Sequence, residues 1–230
     1  MKPVDVIVVG GGAAGMMAAG RAAQLGKHVL LVEKNKDLGQ KLSITGGGRC
    51  NITNAEYNNR ILLVNYGSAE KFLYSTFSRF AVEQTFSFFE ERGLPLVVEA
   101  RKRAFPRTLK ATDVTRVMVQ YMRDHQVQVR TQTAVKAILT ENDRVVGVDT
   151  DHGSFKASHV ILATGGLSHS DTGATGEGFD WLRALGHSVH EPNPNVVPLK
   201  VAESWVKKLS GTSLVKMTIT FFLAQSSQPD

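Results

Sequence analysis

Val4-Asp5-Val6-Ile7-Val8-Val9-Gly10-Gly11-Gly12-Ala13-Ala14-Gly15 is the stretch on which the reading of this 230-residue sequence turns. The residues before the first glycine are apolar and mostly β-branched, interrupted only by Asp5. That pattern fits a strand buried on both faces. The glycines at 10, 12 and 15 fit G-x-G-x-x-G. Residues 13–25 are rich in Ala, Met and Leu, all good helix formers, and Gly26 stops the run. A second apolar run, Val29-Leu30-Leu31-Val32, then ends on Glu33.

Strand, glycines, helix, strand and acid follow in the order a dinucleotide site requires. Gly10 permits the tight turn from strand to helix, Gly12 lets the backbone approach a diphosphate, and Gly15 lets the helix pack on the strand. The amides of Ala13 and Ala14 begin the helix, where N–H groups and partial positive charge favour phosphate. Glu33 lies about two dozen positions after Gly10, near the ~20 expected of a carboxylate that binds a ribose hydroxyl. An acid there repels a 2′-phosphate, which favours FAD or NAD over NADP.

The length accommodates one sizeable domain, or one and part of another. A hydrophobic fraction of 42% is that of an ordinary globular chain. Asp5 and the glycine run break any signal-peptide core, and no stretch approaches the ~20 apolar residues that span a bilayer. The single cysteine, Cys50, has no partner for an internal disulfide, so a cytoplasmic location is expected. The net charge of +6 is dispersed apart from Arg101-Lys102-Arg103 with Arg107 and Lys110. A solvated turn, or a site for an anionic ligand, accounts for that group without nucleic acid.

Residues 35–59 show little periodicity. At their centre stands Lys41-Leu42-Ser43-Ile44-Thr45-Gly46-Gly47-Gly48-Arg49-Cys50-Asn51-Ile52-Thr53-Asn54. Structureless segments of that length are uncommon in compact domains unless they bind something. Consecutive glycines expose backbone N–H groups, and Lys41 and Arg49 flank them with positive charge, a combination suited to phosphate or a flavin edge. Downstream of the glycine fingerprint, this string resembles the BaiN/YhiN-like (aminoacetone oxidase-like) FAD-dependent oxidoreductase family, which carries an SGxGRCNxTN-type loop. The resemblance implies that the loop wraps FAD, with Lys34 beside the ribose acid and Lys41, Gly47, Gly48, Arg49, Cys50 and Asn51 near the cofactor. Cys50 next to Arg49 suggests a reactive thiol, but no local base stands by to activate it, and a packing role or a backbone contact fits better.

Helices are expected over residues 68–80 and 81–92, with Phe72, Phe77, Phe86 and Phe89 in the core. Leu96-Val97-Val98-Glu99 and Ala104-Phe105 suggest a hairpin. Thr112 or Asp113 should cap a further helix burying Val114, Val117, Met118, Tyr121 and Met122. Short strands follow at 127–130, 135–139, 145–148 and 153–155. They suggest an inserted β-meander in a glutathione-reductase-like, Rossmann-like FAD-binding domain of α/β class. By analogy with such domains, Val135 meets the adenine through its backbone. His159-Val160-Ile161-Leu162 reads as a second buried strand, and Ala163-Thr164-Gly165 after it resembles the second dinucleotide motif. A helix over 179–185 follows.

The seven histidines form no metal-ligand spacing, and no nucleophile elbow appears. Prolines at 192, 194 and 198 mark a boundary. The expected division is a FAD domain over 1–191 and the incomplete start of a second, substrate-side domain over 192–230, with a strand at 214–223. The resemblance implies a longer protein, of which this chain is the N-terminal portion. It also implies a small-molecule substrate and an NAD(P)H link, although no second G-x-G-x-x-G is present. A catalytically inactive nucleotide-binding fragment is the alternative, and a tRNA-modifying flavoprotein ranks below both. No catalytic residue is assigned.

Overall fold

The computed structural model describes residues 4–193 and 203–212. The chain divides into two compact units, one through Pro192 and the other from Asn193. In the second, a 3-10 turn over Ser204–Leu209 is described; the strand expected at 214–223 lies outside the described residues.

In the first unit, β1 (Val4–Val9) leads into α1 (Ala13–Gln24) and β2 (Val29–Val32). Then come α2 (Gln40–Ile44), β3 (Thr53–Asn54), α3 (Asn59–Val64), α4 (Glu70–Phe77) and α5 (Val82–Glu90). The chain continues through β4 (Leu96–Glu99), β5 (Arg103–Pro106), α6 (Ala111–Asp124) and β6 (Gln128–Arg130). It closes with β7 (Val135–Glu141), β8 (Arg144–Thr150), β9 (Gly153–Leu162) and α7 (Glu177–Ala184).

The main sheet runs β6-β2-β1-β9-β8-β7. Its first four strands are parallel and its last three antiparallel, β9 belonging to both sets. Counted in chain order, the parallel strands stand third, second, first, fourth. This is the Rossmann arrangement, whose order reverses beside the first strand. β1 explains why its sequence is apolar without alternation. Val6 and Val8 enter a core with Met16, Val114 and Tyr121, while Ile7 and Val9 enter a second core with Val148 and Ala157. Helices cover one face, the meander and α7 the other. α1 lies close on α6 because Gly20 leaves room for the Tyr121 ring. The Tyr121 hydroxyl donates to Gln24 at 3.0 Å.

Several expectations need correction. The strands expected at 153–155 and 159–162 are one strand, β9: nothing in Lys156-Ala157-Ser158 breaks it, and it pairs with β8 at its start and β1 at its end. The unperiodic segment 35–59 is not structureless, since it holds α2, a 3-10 turn over Thr45–Gly48 and β3. The helix expected at 68–80 is confined to α4 after a 3-10 turn, and its Phe72 is 82% exposed, not core. α6 starts at Ala111 with Lys110 at its N-cap and no side-chain cap, so neither Thr112 nor Asp113 caps it. Asp113 instead pairs with Arg116 inside the first turn. The hairpin is present as β4 and β5, with β3 added to its far edge.

Candidate functional site

A cleft of about 300 Å³ opens at the C-terminal ends of β1 and β9. That is where the strand order reverses, the place at which open α/β sheets bind ligands. Its floor is the turn Gly10–Gly12. Gly10 holds φ +105°, which a side chain rarely adopts, and its N–H donates to the Val32 carbonyl at 2.8 Å. A Cβ there would stand 2.5 Å from the Ala163 oxygen. Gly15 is closed in differently, because a Cβ on it would fall within the Gly10 carbonyl. Gly12 is the opposite case: among the described residues, chain neighbours apart, no atom stands within 4 Å of where a Cβ would be. It is the N-cap of α1, and no side chain caps that helix. The first N–H groups of any helix lack intrahelical partners, so those of Ala13 and Ala14 look into the cleft uncapped.

Glu33 is the buried acid of the site, 8% exposed. Its carboxylate accepts from the Gly11 N–H at 2.6 Å and from the Asn35 N–H at 2.8 Å. It therefore fixes the glycine turn to the end of β2, and an ionised carboxylate with about four acceptor sites retains capacity for a ribose hydroxyl. A Glu33→Gln protein should be less stable by about 1.5–3 kcal/mol, since an amide donor would face one of those N–H groups. Urea unfolding of the unliganded protein measures this, and an unchanged midpoint would count against the bracing role.

The remaining walls bring Val135 and Thr133 from the approach to β7, Ala163, Thr164 and Gly165 after β9, and Trp181 of α7. Trp181 donates its indole N–H to the Lys136 carbonyl at 3.1 Å. Lys41 lines the cleft beside Gly165, and among the described residues it makes no ion pair. Lys34 lines it too, but its ammonium is engaged with Thr175 and Glu177. Burial would raise the Glu177 carboxyl; the hydrogen bonds from Lys34 and Thr175 outweigh it and hold the group below the ordinary carboxylate range.

Of the residues singled out in the sequence, Gly10, Gly12, Ala13, Ala14, Glu33, Lys34, Lys41, Val135, Ala163, Thr164 and Gly165 line this cleft. Gly15 supports it from behind. Gly47, Gly48, Arg49, Cys50 and Asn51 do not line it. Gly46 and Gly47 wind left-handed, and the Cys50 N–H closes the turn onto the Thr45 carbonyl at 3.0 Å. Arg49 is spent on Glu99, at 2.9 Å, with its guanidinium 4.3 Å above the Phe105 ring. Cys50 is 2% exposed in the helical core; burial pushes its thiol pKa up, with a hydrogen bond to Thr45 opposing. That is the environment of a packed thiol, not of a nucleophile.

Wall residues missed in the sequence include Asn35, Thr172, Gly173, Ala174, Glu177 and Trp181. For Thr172, Gly173, Ala174 and Glu177 the visible signal is the glycine-rich run over 172–178; Asn35 and Trp181 carry none. Gly178 shows why glycine stands there: a Cβ on it would meet Thr164 Oγ1 and push α7 off the cleft.

Residues 4–219 match the family described as HI0933-like protein Rossmann domain. The chain belongs to that family. HI0933-like proteins are FAD-dependent oxidoreductases of Rossmann fold, and FAD is their cofactor. The cleft fits that cofactor, with an uncapped helix start facing an open space before Gly12 and a buried acid, Glu33, in its lining. Among curated relatives, the 3-dehydro-bile acid delta(4,6)-reductase of Clostridium scindens is 30% identical over 89% of this chain and 49% of its own length. The ribosomal RNA dihydrouridine synthase of Haemophilus influenzae is 28% identical over 96% and 55%. The chain thus spans about half the length of the curated relatives it matches. Among solved structures, 3-ketosteroid-delta4-(5alpha)-dehydrogenase of Rhodococcus jostii superposes with TM-score 0.66 at 18% identity, over 81% of this chain and 54% of that one. At that identity the likeness concerns the fold alone. Among the described residues no helix is long and apolar enough to cross a membrane.

Proposed function

We propose that this HI0933-like chain carries the nucleotide-gripping part of a cytoplasmic reductase that delivers hydride to an electron-poor C=C bond. The observation that carries the nucleotide end is the uncapped start of α1 behind the vacant space at Gly12. In this reading the amides of Gly12, Ala13 and Ala14 hold the diphosphate, Lys41 adds a positive charge, and Glu33 receives a ribose hydroxyl. Val135 and Trp181 border the adenine. Bound FAD supplies the two-electron chemistry, and the protein supplies grip and orientation. Residues 47–51 act from outside the cleft, by shaping the turn that carries Lys41 and Thr45.

The reaction class is inferred from the relatives' names. A delta(4,6)-reductase of a 3-dehydro bile acid and a dihydrouridine synthase both yield products with hydrogen added to a double bond conjugated with a carbonyl. The chemistry on substrate is proposed for a protein of the relatives' length, with residues 1–191 as the FAD domain and 192–230 as the start of a substrate-side one. NAD(P)H is the proposed electron source and a small enone the proposed substrate. The relatives named for ribosomal RNA favour RNA as the second reading.

Thermal-shift titration with FAD and with ADP tests the nucleotide end: both should stabilise the protein, and a flat response to both would overturn the assignment. For a protein of the relatives' length, reoxidation of photoreduced flavin by a conjugated enone, but not by the saturated ketone, is the expected result. A salt-dependent gel shift with ribosomal RNA fragments would transfer the proposal to the second reading.

A further inference from the structure

The cleft wall over residues 166–176 is attached to the rest of the domain in an unusual way. Its backbone hydrogen bonds close on themselves: Thr172 N–H donates to the His169 carbonyl and Gly173 N–H to the Ser170 carbonyl, both at 2.9 Å. Glycines in left-handed conformation stand at either end, Gly165 at φ +77° and Gly176 at φ +93°. Among the described residues, the side-chain hydrogen bonds that reach this wall from elsewhere in the sequence come from the two residues after Glu33. Asn35 donates its amide to the Thr172 carbonyl at 3.1 Å. Lys34 donates to Thr175 Oγ1 at 2.7 Å and to both Glu177 oxygens, at 2.8 and 3.0 Å. Thr175 in turn donates to Glu177 at 2.5 Å.

We infer that Lys34, Thr175 and Glu177 form a latch, and that its opening sets how fast FAD leaves the cleft. The inference rests on the reading that FAD occupies this cleft. Lys34 is then a positioning residue: its charge is consumed by Glu177 rather than offered to phosphate. The lowered carboxyl pKa of Glu177 agrees with a persistent ion pair. The wall it holds contributes Thr172, Gly173 and Ala174 to the cleft lining. Gly173 must stay side-chain-free, because a Cβ there would stand 2.6 Å from the Asn35 amide nitrogen and 3.3 Å from Lys34 Cε. The close seating of the wall on these two side chains depends on that.

The test is the FAD release rate, read as recovery of flavin fluorescence when loaded protein is diluted into excess ADP. Lys34→Met and Glu177→Gln should each speed release roughly fivefold, the scale of a partly exposed ion pair. The double variant should match either single one, because each breaks the same contact, and Lys34→Arg should stay near wild type. Amide exchange over 166–176 in the unliganded protein should quicken in both single variants, a readout independent of FAD. Release rates unchanged in the single variants, or multiplied in the double, would overturn the latch while leaving the cofactor site intact. Failure of the wild type to take up either FAD or ADP would instead remove the site reading on which the latch depends.

Discussion

A Gly12→Val protein is expected to fold and to lose FAD. Among the described residues, chain neighbours apart, no atom lies within 4 Å of the position its Cβ would take. The residue is extended, at φ −77° and ψ −173°, which valine tolerates. The cost to the protein is the poorer helix cap, about 1 kcal/mol. The cost to the ligand is far larger, because the branched side chain would fill the space that brings a diphosphate to the α1 amides. Affinity for FAD and for ADP should fall at least a hundredfold, or about 2.7 kcal/mol. Titration calorimetry with ADP, beside a urea curve of the unliganded protein, separates the two effects. Unchanged ADP affinity would show that the diphosphate lies elsewhere.

Gly15→Ala should do the reverse. Its Cβ would overlap the Gly10 carbonyl, a backbone atom held in a turn that cannot move aside without breaking Gly10 N–H from Val32. Overpacking against backbone at this point should cost about 3 kcal/mol or more. The expected result is a large fall in the urea midpoint even without any nucleotide present. A wild-type midpoint would mean that α1 can ride away from β1, contrary to the packing seen here. Three positions apart in one motif, the two glycines are thus expected to answer to different constraints, one set by the proposed ligand and one by the chain itself.

The first thirty residues are legible because they carry local signals: from Val6 to Val9 β1 is apolar without alternation since both of its faces are covered, and Gly10 sits where only glycine is comfortable. Analogy with glutathione-reductase-like domains points to Val135, and resemblance to the second dinucleotide motif points to Ala163, Thr164 and Gly165; all four line the cleft. The other side of the cleft was not legible in the same way. Trp181 and Glu177 lie on a short helix whose apolar residues look like core, and only the tertiary path brings them opposite Lys34. Arg49 misled for a related reason: its positive charge reads as a phosphate ligand until Glu99, fifty residues on, appears beside it. Phe72 fits a core spacing, yet the helix hosting it turns that side outward. β9 went unrecognised as one strand because its middle, Lys156-Ala157-Ser158, changes neighbours from β8 to β1 and so loses the apolar signature of either end.

That unbroken strand makes β9 a ruler between the meander and the nucleotide turn. Its pairing with β8 fixes one end and its pairing with β1 fixes the other, so no slack exists between Gly153 and Leu162. One residue inserted between them would exchange inward and outward side chains on one half of the strand. An insertion at the exposed hairpin tip between Glu141 and Arg144 would leave this register untouched, but the span that leads to Ala163 has a set length.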